Sequence, residues 1–320
     1  MPIGYLGYLK LENQFLLTNT TGLNRQVNPL MSRAVWGAGW RNAAAVVAYA
    51  DSQMHFEGAM NFELQGEPAI WNRIRDWLIE NRAYSKDVLL SPDGIVVYNY
   101  LTDPADPRTG VWLSQANLTI NNNSLVTVSA TGMALRRREI DSNVNWKVGL
   151  KTNIGVPTKP MNPVPRNRNP ILGWNCKAEI QWPNSPAFWS DPGNLLGMVL
   201  VQADLRINNN TQIIRGCTGN INPVAVLQGT INCEGSMNLW RDGPIPDPYG
   251  DSFNPGNFGA DGASVIFRLG GAPALTCRVK HVLLTSEEHN LGGQNEPVTH
   301  NFGIAGIGDG IDPPFLMDQA

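Results

Sequence analysis

The stretch His55-Phe56-Glu57-Gly58-Ala59-Met60-Asn61-Phe62 reappears in the second half of the chain as Asn232-Cys233-Glu234-Gly235-Ser236-Met237-Asn238-Leu239. Both copies follow the pattern Glu-Gly-small-Met-Asn-apolar, and in both every second residue is apolar or glycine. Alternation with a period of two is typical of a strand that buries one face. Because self-similarity over a long separation indicates duplicated units, the sequence predicts two related domains, each with one long amphipathic strand.

Each half also ends in two alternating apolar runs around a turn. Residues 112–135 surround Asn121-Asn122-Asn123-Ser124, and residues 276–306 surround Asn290-Leu291-Gly292-Gly293. Asn and Gly tolerate the positive φ of tight turns, so these segments predict equivalent closing hairpins, with Val126-Thr127 and Val298-Thr299 after the two turns. A further recurrence relates residues 115–123, QANLTINNN, to residues 202–210, QADLRINNN, at a different separation. We interpret it as recurring hairpin chemistry.

The two halves are joined by a proline-rich segment. Residues 153–170 contain five prolines, which favour an extended, polyproline-like spacer that spans roughly 50 Å at about 3 Å per residue. The predicted organisation is a first domain over residues 1–152, a linker over 153–170 and a second domain over 171–320. We expect a mainly β fold of two tandem β-sandwich or barrel domains.

One segment departs from the β pattern. Ile70, Ile74, Trp77 and Leu78 are spaced for one face of a helix, and Pro68 suits a first helical turn. The sequence predicts an amphipathic helix over about 67–82. At the corresponding place in the second half there is a proline- and glycine-rich stretch, so any helix there must be short.

Composition and charge exclude several classes. Only 16% of the 320 residues are charged and the net charge is −3, so the chain lacks the basic excess typical of nucleic-acid binding. Residues 1–151 carry 14 basic and 13 acidic groups, whereas residues 171–320 carry 7 and 14. The longest apolar run, residues 43–50, is too short for a membrane span, and the N-terminus does not resemble a signal peptide. We therefore expect a soluble protein made in a cytoplasm.

The sequence contains no pattern typical of a catalytic or metal site. No GxSxG, HExxH or P-loop is present, and the four cysteines, at positions 176, 217, 233 and 277, form no CxxC pair. His281 and His300 are a conceivable metal pair, but no third ligand has a suitable spacing. Carboxylate pairs such as Asp103/Asp106 lie among turn residues, and residues 136–138 form an isolated arginine cluster. We expect no enzyme, cofactor, metal or disulfide, with buried free thiols and the arginines at a charged surface or subunit contact.

The order of elements and the paired Glu-Gly/Met-Asn strands resemble a phage tail tube protein, in the form with two tandem tube domains per chain. The resemblance implies small β-sandwich or barrel domains with a flanking helix, six to a ring, and rings that stack into a hollow tube with an electronegative lumen for DNA. With two domains per chain it implies trimeric rings of pseudo-sixfold symmetry. It also implies a place in the virion tail, assembly in the host cytoplasm, and tail terminator, tape measure and baseplate proteins as partners.

The polar face of the repeated strand suits such a lumen. Acidic and neutral side chains let a polyanion slide past, and each glutamate of the motif stands beside a glycine that leaves its carboxylate uncovered. The candidate lumen-facing residues are Glu57, Asn61, Glu63, Glu234 and Asn238. Ordinary solvent exposure is the alternative explanation of this face.

A second candidate surface is the stretch from Asn24 to Asn42. It carries Trp36 and Trp40 among glycines, and apolar loops of this kind usually mark contacts. We expect this loop to reach a neighbouring ring. The alternative functions are a trimeric baseplate hub, a distal tail protein or, from a different class, a tandem β-sandwich carbohydrate-binding protein.

Overall fold

A computed structural model gives the architecture of the chain. The residues it describes are 8–12, 14–27, 54–91, 98–106, 109–135, 170–181, 198–216, 223–241, 264–270, 275–290, 299–308 and 313–319. Within these ranges the protein is mainly β, as the sequence predicts, and its strands form antiparallel sheets.

The strands are short to medium in length and follow one another with little helix between them. In chain order they are β1 (Tyr8–Leu11), β2 (Gln14–Thr21), β3 (Asn24–Val27), β4 (Met54–Glu63), β5 (Val88–Ser91), β6 (Tyr98–Tyr100), β7 (Trp112–Asn121), β8 (Thr127–Ala134), β9 (Lys177–Gln181), β10 (Met198–Asn208), β11 (Gln212–Ile214), β12 (Ala225–Leu227), β13 (Asn232–Arg241), β14 (Ser264–Leu269), β15 (Leu275–Val279), β16 (Val282–Asn290), β17 (Thr299–Gly306) and β18 (Phe315–Gln319).

The helix that the sequence predicts is present. Helix α1 covers Pro68–Arg75 and continues as one π-helical turn over Asp76–Glu80. Proline opens the helix, where its missing N–H leaves no hydrogen bond unmade. The buried side chains on its inner face are Ile70, Trp71, Ile74, Trp77 and Leu78. A short 3₁₀ turn covers Gly173–Asn175.

Most strands belong to one twelve-stranded antiparallel sheet in the order β16-β17-β13-β10-β7-β8-β4-β2-β1-β5-β6, with β3 also paired to β4. Its first eight strands fall into two groups of four. We call β7-β8-β4-β2 the first strand group and β16-β17-β13-β10 the second strand group. Each strand of the first group has a counterpart at the same place in the second.

The pairing register is also the same in the two groups. Glu57 lies opposite Met133, and its counterpart Glu234 lies opposite Ala305. At the far end of the same strands, Glu63 lies opposite Thr127 and Trp240 opposite Thr299. The alignment of β4 with β13 therefore carries β8 onto β17 without any slip.

Irregularities in the ladders recur at matching positions. The β7–β8 register shifts between Leu113 and Gln115, and the β16–β17 register shifts between Leu284 and Ser286. A shift between Thr18 and Thr20 in β2 is matched by one between Leu200 and Gln202 in β10. Bulges of this kind bend the strand and increase its twist locally. Their recurrence gives the two groups the same bends as well as the same pairing.

The two groups meet where β7 pairs with β10. Leu118 lies opposite Leu205, and Gln115 lies opposite Asn208. These are the two segments with the recurring QA(N/D)L sequence, so the recurrence marks the junction of the two groups.

The apolar face of the large sheet is covered by α1 and by a four-stranded sheet in the order β18-β15-β14-β9. Phe267, Cys277 and Phe315 of this smaller sheet belong to the same buried core as Leu118 and Ile207 of the large one. The indole N–H of Trp71 donates to the carbonyl oxygen of Asp318, at 3.1 Å. The core is thus shared between early and late parts of the chain.

The hairpin prediction for residues 112–135 is confirmed, since β7 and β8 pair around the turn at 121–124. In the second half β16 and β17 pair with Asn290 opposite Thr299, but their connection at 291–298 lies outside the described residues. So do residues 153–169 of the predicted linker, and residues 136–138. Just after the linker, the Ile171 N–H donates to the Leu64 carbonyl, which ties the chain back to the end of β4.

Candidate functional site

The five candidate residues of the repeated strands come together on one face of the large sheet. Directly opposite residues of paired strands share a face, and this relation can be followed from strand to strand. Asn61 lies beside Ser129, Ser129 beside Asn117, Asn117 beside Arg206, and Arg206 beside Glu234. We call this surface the polar face.

A second row runs parallel to the first. Its members, from β4 to β13, are Glu63, Thr127, Thr119, Asp204 and Ser236. Asn238 lies opposite Gln202, which is two residues before Asp204 in β10, so Asn238 is on this face too. Glu57 is four residues before Asn61 in β4, and alternate residues of a strand share a face, so Glu57 also belongs to it. The polar face therefore extends across both strand groups and across the junction between them.

The charges of the polar face are mostly negative. Among the described residues of the eight strands, its acidic members are Glu57, Glu63, Asp204, Glu234 and Glu288, and its basic member is Arg206. Glu234 is exposed, whereas Glu63, Asn61 and Asn238 are half-buried. A polyanion near this face meets a net repulsive field.

Hydrogen bonds between side chains order the polar face. The Ser129 hydroxyl donates to Asn61 Oδ1 at 2.6 Å, and the Arg206 guanidinium donates to Gln115 Oε1 at 2.9 Å across the junction. The Gln202 amide donates to Asp204 Oδ2 at 2.7 Å. Arg206 thus makes a hydrogen bond with neutral Gln115 on one side and lies opposite Glu234 in the register on the other.

Glu57 is the best-anchored of the candidate carboxylates. Its Oε2 lies 3.4 Å from His55 Nε2, and the guanidinium of Arg215 lies 3.5 Å from His55 Nδ1. The imidazole of His55 therefore lies between the guanidinium and the carboxylate. His55 is 7% exposed, while the Glu57 side chain is 36% exposed. The carboxylate remains open to solvent although its inner oxygen is held.

A shallow groove of about 620 Å³ lies on the polar face beside Glu234. Its charged lining residues are Asp204, Arg206 and Glu234, and the rest of the lining includes Asn117, Thr119 and Ser236. The groove is open to solvent, and within it Arg206 lies directly opposite Glu234 across the β10–β13 pairing. A shallow, open surface of this kind does not enclose a small molecule.

Sequence reasoning missed the contribution of β7 and β10 to this face. Gln115, Asn117, Asp204 and Arg206 fill the space between the two repeated strands. The signal was present in the recurring QA(N/D)L segments, whose alternate residues are polar.

The remaining candidates from the sequence are the tryptophan loop, the histidine pair and the aspartate pair. Trp36 and Trp40 lie outside the described residues. His300 is buried and stacks on Phe302, whereas His281 sits in the turn between β15 and β16. Asp103 accepts the N–H of Ala105 in a turn. In the part of the chain that the structure describes, no group of His, Cys, Asp or Glu side chains could hold a metal ion.

Cys176, Cys233 and Cys277 are buried free thiols. Burial raises the pKa of Cys176 to about 11. Burial and the neighbouring Glu234 charge raise the pKa of Cys233 to about 12. These thiols therefore stay protonated at neutral pH.

The chain matches no protein-family model, and its comparison with curated proteins gives no significant match. None of the helices in the described ranges is long and apolar enough to cross a membrane.

Proposed function

We propose that this protein is the subunit of a phage tail tube, a structural virion protein that polymerises into a hollow tube through which DNA passes. The observation that carries the proposal is the pair of strand groups, equal in strand order, register and bulges, that together form one continuous polar face. A chain with two equivalent units fits a ring with twice as many units as subunits. Three chains then give the pseudo-sixfold ring that the resemblance implies.

The charge of the polar face supports a conduit for DNA. Nucleic acid is held mainly by basic side chains that neutralise phosphates. Here Arg206 is outnumbered by acidic residues, and it is engaged by Gln115. A lumen lined by the polar face repels phosphates and leaves DNA free to move.

The way the apolar face is covered also supports the proposal. Helix α1 and the four-stranded sheet share one buried core with it, in which Met60 and Met237 are both 0% exposed. Among the described residues, the polar face is the opposite surface of the large sheet. In a tube, the polar face would line the channel and the covering layer would form the outer wall.

The proposal extends to the surroundings of the protein. The tube would belong to the virion tail, would be assembled in the host cytoplasm, and would contact tail terminator, tape measure and baseplate proteins. Trp36 and Trp40 are proposed to contact the neighbouring ring. DNA would pass without specific binding, and no catalytic group is assigned.

Electron microscopy and analytical ultracentrifugation of the purified chain test the proposal. We expect trimers, rings with a central channel, and stacks of rings at higher protein concentration. A stable monomer at every concentration, with no rings in the micrographs, would contradict it. Closed compact particles that bind glycans and contain no channel would favour the carbohydrate-binding alternative instead.

A further inference from the structure

Among the described residues, β16 at one end of the eight strands and β3 near the other end each pair along one side, with β17 and β4 respectively. Strand β2 pairs with β4 and, at residues 14–16 of the part that the structure describes, also with β1. Edge strands with available backbone groups are sites where another chain can add to a sheet.

Alignment of the first strand group with the second shows which inner strands are the counterparts of these edge strands. Asn24 lies opposite Glu57, and Arg206 lies opposite Glu234, so β2 and β3 together are the counterpart of the single strand β10. The matching bulges make β16 the counterpart of β7. Since β7 pairs with β10 inside the chain, the equivalent pair would join β16 to β2 and β3. Within one chain the two edges lie at opposite ends of the eight strands, and the described residues of these edges do not pair with each other.

We propose that β16 of one copy pairs antiparallel with β3 and the end of β2 of a second copy, in the register of the β7–β10 junction. That register sets Ser286 opposite Gln26, Glu288 opposite Asn24, and Asn290 opposite Gly22. The proposal deepens the proposed function, on which it rests, by naming the surfaces through which subunits join within a ring.

The composition of the two edges agrees with this register. The register sets Glu288 opposite Asn24, and both of these polar residues are exposed. Charged edges also discourage unspecific pairing of free subunits. Ser286 and Gln26 are exposed, as expected of residues that become buried when a second copy binds.

The contact joins unlike surfaces, so each copy keeps one edge free for the next. A head-to-tail interface of this kind closes into a ring when the rotation per copy allows it. Repetition of the β7–β10 geometry would continue the polar face from copy to copy. The interface between subunits would then repeat the junction within a subunit.

Cysteine cross-linking tests the register directly. The Asn209 N–H donates to the Ser114 carbonyl at 2.9 Å, which marks Gln115 and Asn208 as a pair without mutual backbone hydrogen bonds. Such pairs have Cα atoms about 4.5 Å apart, within the range that a disulfide bridges. The equivalent pair between copies is Ser286 with Gln26.

The experiment uses four variants of the full chain in a Cys217→Ser background. Two are matched, S286C/Q26C and E288C/N24C, and two are mismatched controls from the same residues, S286C/N24C and E288C/Q26C. After mild oxidation we expect the matched variants to give covalent multimers on non-reducing gels, at least tenfold more than the mismatched ones. A ladder that stops at three chains would indicate a closed trimeric ring.

Three results would overturn the proposal. If rings form in the micrographs but matched and mismatched variants cross-link equally or not at all, the edge pairing is wrong while the proposed function stands. If the chain remains a monomer and no variant cross-links, both are wrong. Cross-linking by the mismatched variants alone would also reject the stated register.

Discussion

The carbonyl oxygen of Gly22 occupies the space that a side chain on Gly58 would need, since a Cβ built on Gly58 would lie 1.8 Å from that oxygen. Gly235 stands in the same relation to Asp204, because a Cβ built on Gly235 would lie 2.2 Å from the carbonyl oxygen of Asp204. Asp204 is the register counterpart of Gly22. The glycine of the repeated motif is therefore required by the close approach of the neighbouring strand in both groups.

Gly58→Ala should destabilise the protein by about 3 kcal/mol, because the backbone of the neighbouring segment must move to admit the methyl group. Gly235→Ala should have a smaller effect in the same direction. Gly22→Ala is the matched control, because its Cβ would meet nothing closer than 4.0 Å. Urea denaturation of the three variants measures the differences. Equal stability of the Gly58 and Gly22 variants would contradict the packing argument.

The sequence predicts the repeated strand and its polar face, but it does not indicate the packing role of the glycine. The structure shows that the glycine admits a neighbouring backbone carbonyl. Alternation of side chains indicates which face is buried, but it contains no information about how closely the next strand approaches. That distance is set by the pairing of strands that are distant in sequence, which is a tertiary feature.

The junction shows a second limit of sequence reasoning. The recurrence of QANLTINNN as QADLRINNN was interpreted as hairpin chemistry, yet the two segments lie opposite each other as β7 and β10. Local patterns specify a strand without specifying its partner. The smaller sheet shows the same limit, because β9 and β18 pair with the neighbouring strands β14 and β15 from distant parts of the sequence. The helix, in contrast, was predicted from its own periodicity.

The three described thiols should be inert in the folded protein. A pKa of about 11 for Cys176 leaves on the order of one thiol in a thousand ionised at pH 8, and burial excludes the reagent as well. We expect Cys176, Cys233 and Cys277 to resist iodoacetamide for hours in buffer and to react within minutes in guanidinium chloride. Peptide mapping by mass spectrometry gives the extent at each site. Rapid labelling of the native chain, or a disulfide at any of these positions, would contradict the expectation.

The carboxylate of Asp76 should make stability depend on pH in the acid range. Burial by itself raises the pKa of Asp76, but hydrogen bonds from Lys86 and Asn81, with the charges of Lys86 and Arg73, outweigh it and hold the pKa below the usual 3.8. A carboxyl whose pKa is lower in the folded state stabilises the protein above the unfolded pKa and loses that effect as pH falls through the folded one.

Asp76→Asn should therefore lower stability at pH 7 by about 1–3 kcal/mol and flatten the decline of stability below about pH 4. Glu80→Gln is the control, since Glu80 forms an exposed ion pair with Arg75 at 3.0 Å and such pairs contribute little. Urea denaturation between pH 7 and pH 3 supplies the comparison. An unchanged pH profile in the Asp76 variant would show that other groups govern the acid range.

The double change Glu57→Lys with Glu234→Lys should leave folding and ring assembly intact but make the assembled protein retain DNA at low salt. Each carboxylate is at least partly exposed, so its removal should cost a few tenths of a kcal/mol, whereas six lysines per trimeric ring would attract phosphates. Retention should fall steeply as salt rises, because contacts between lysines and phosphates release counterions.

Glu57→Gln with Glu234→Gln, which removes the charge without reversing it, should retain much less DNA. Filter binding of a labelled fragment by the assembled variants, from 20 mM to 300 mM salt, measures the effect. Wild-type retention in the lysine variant would show that the polar face does not line the channel, and failure to assemble would show that the carboxylates are structural contacts.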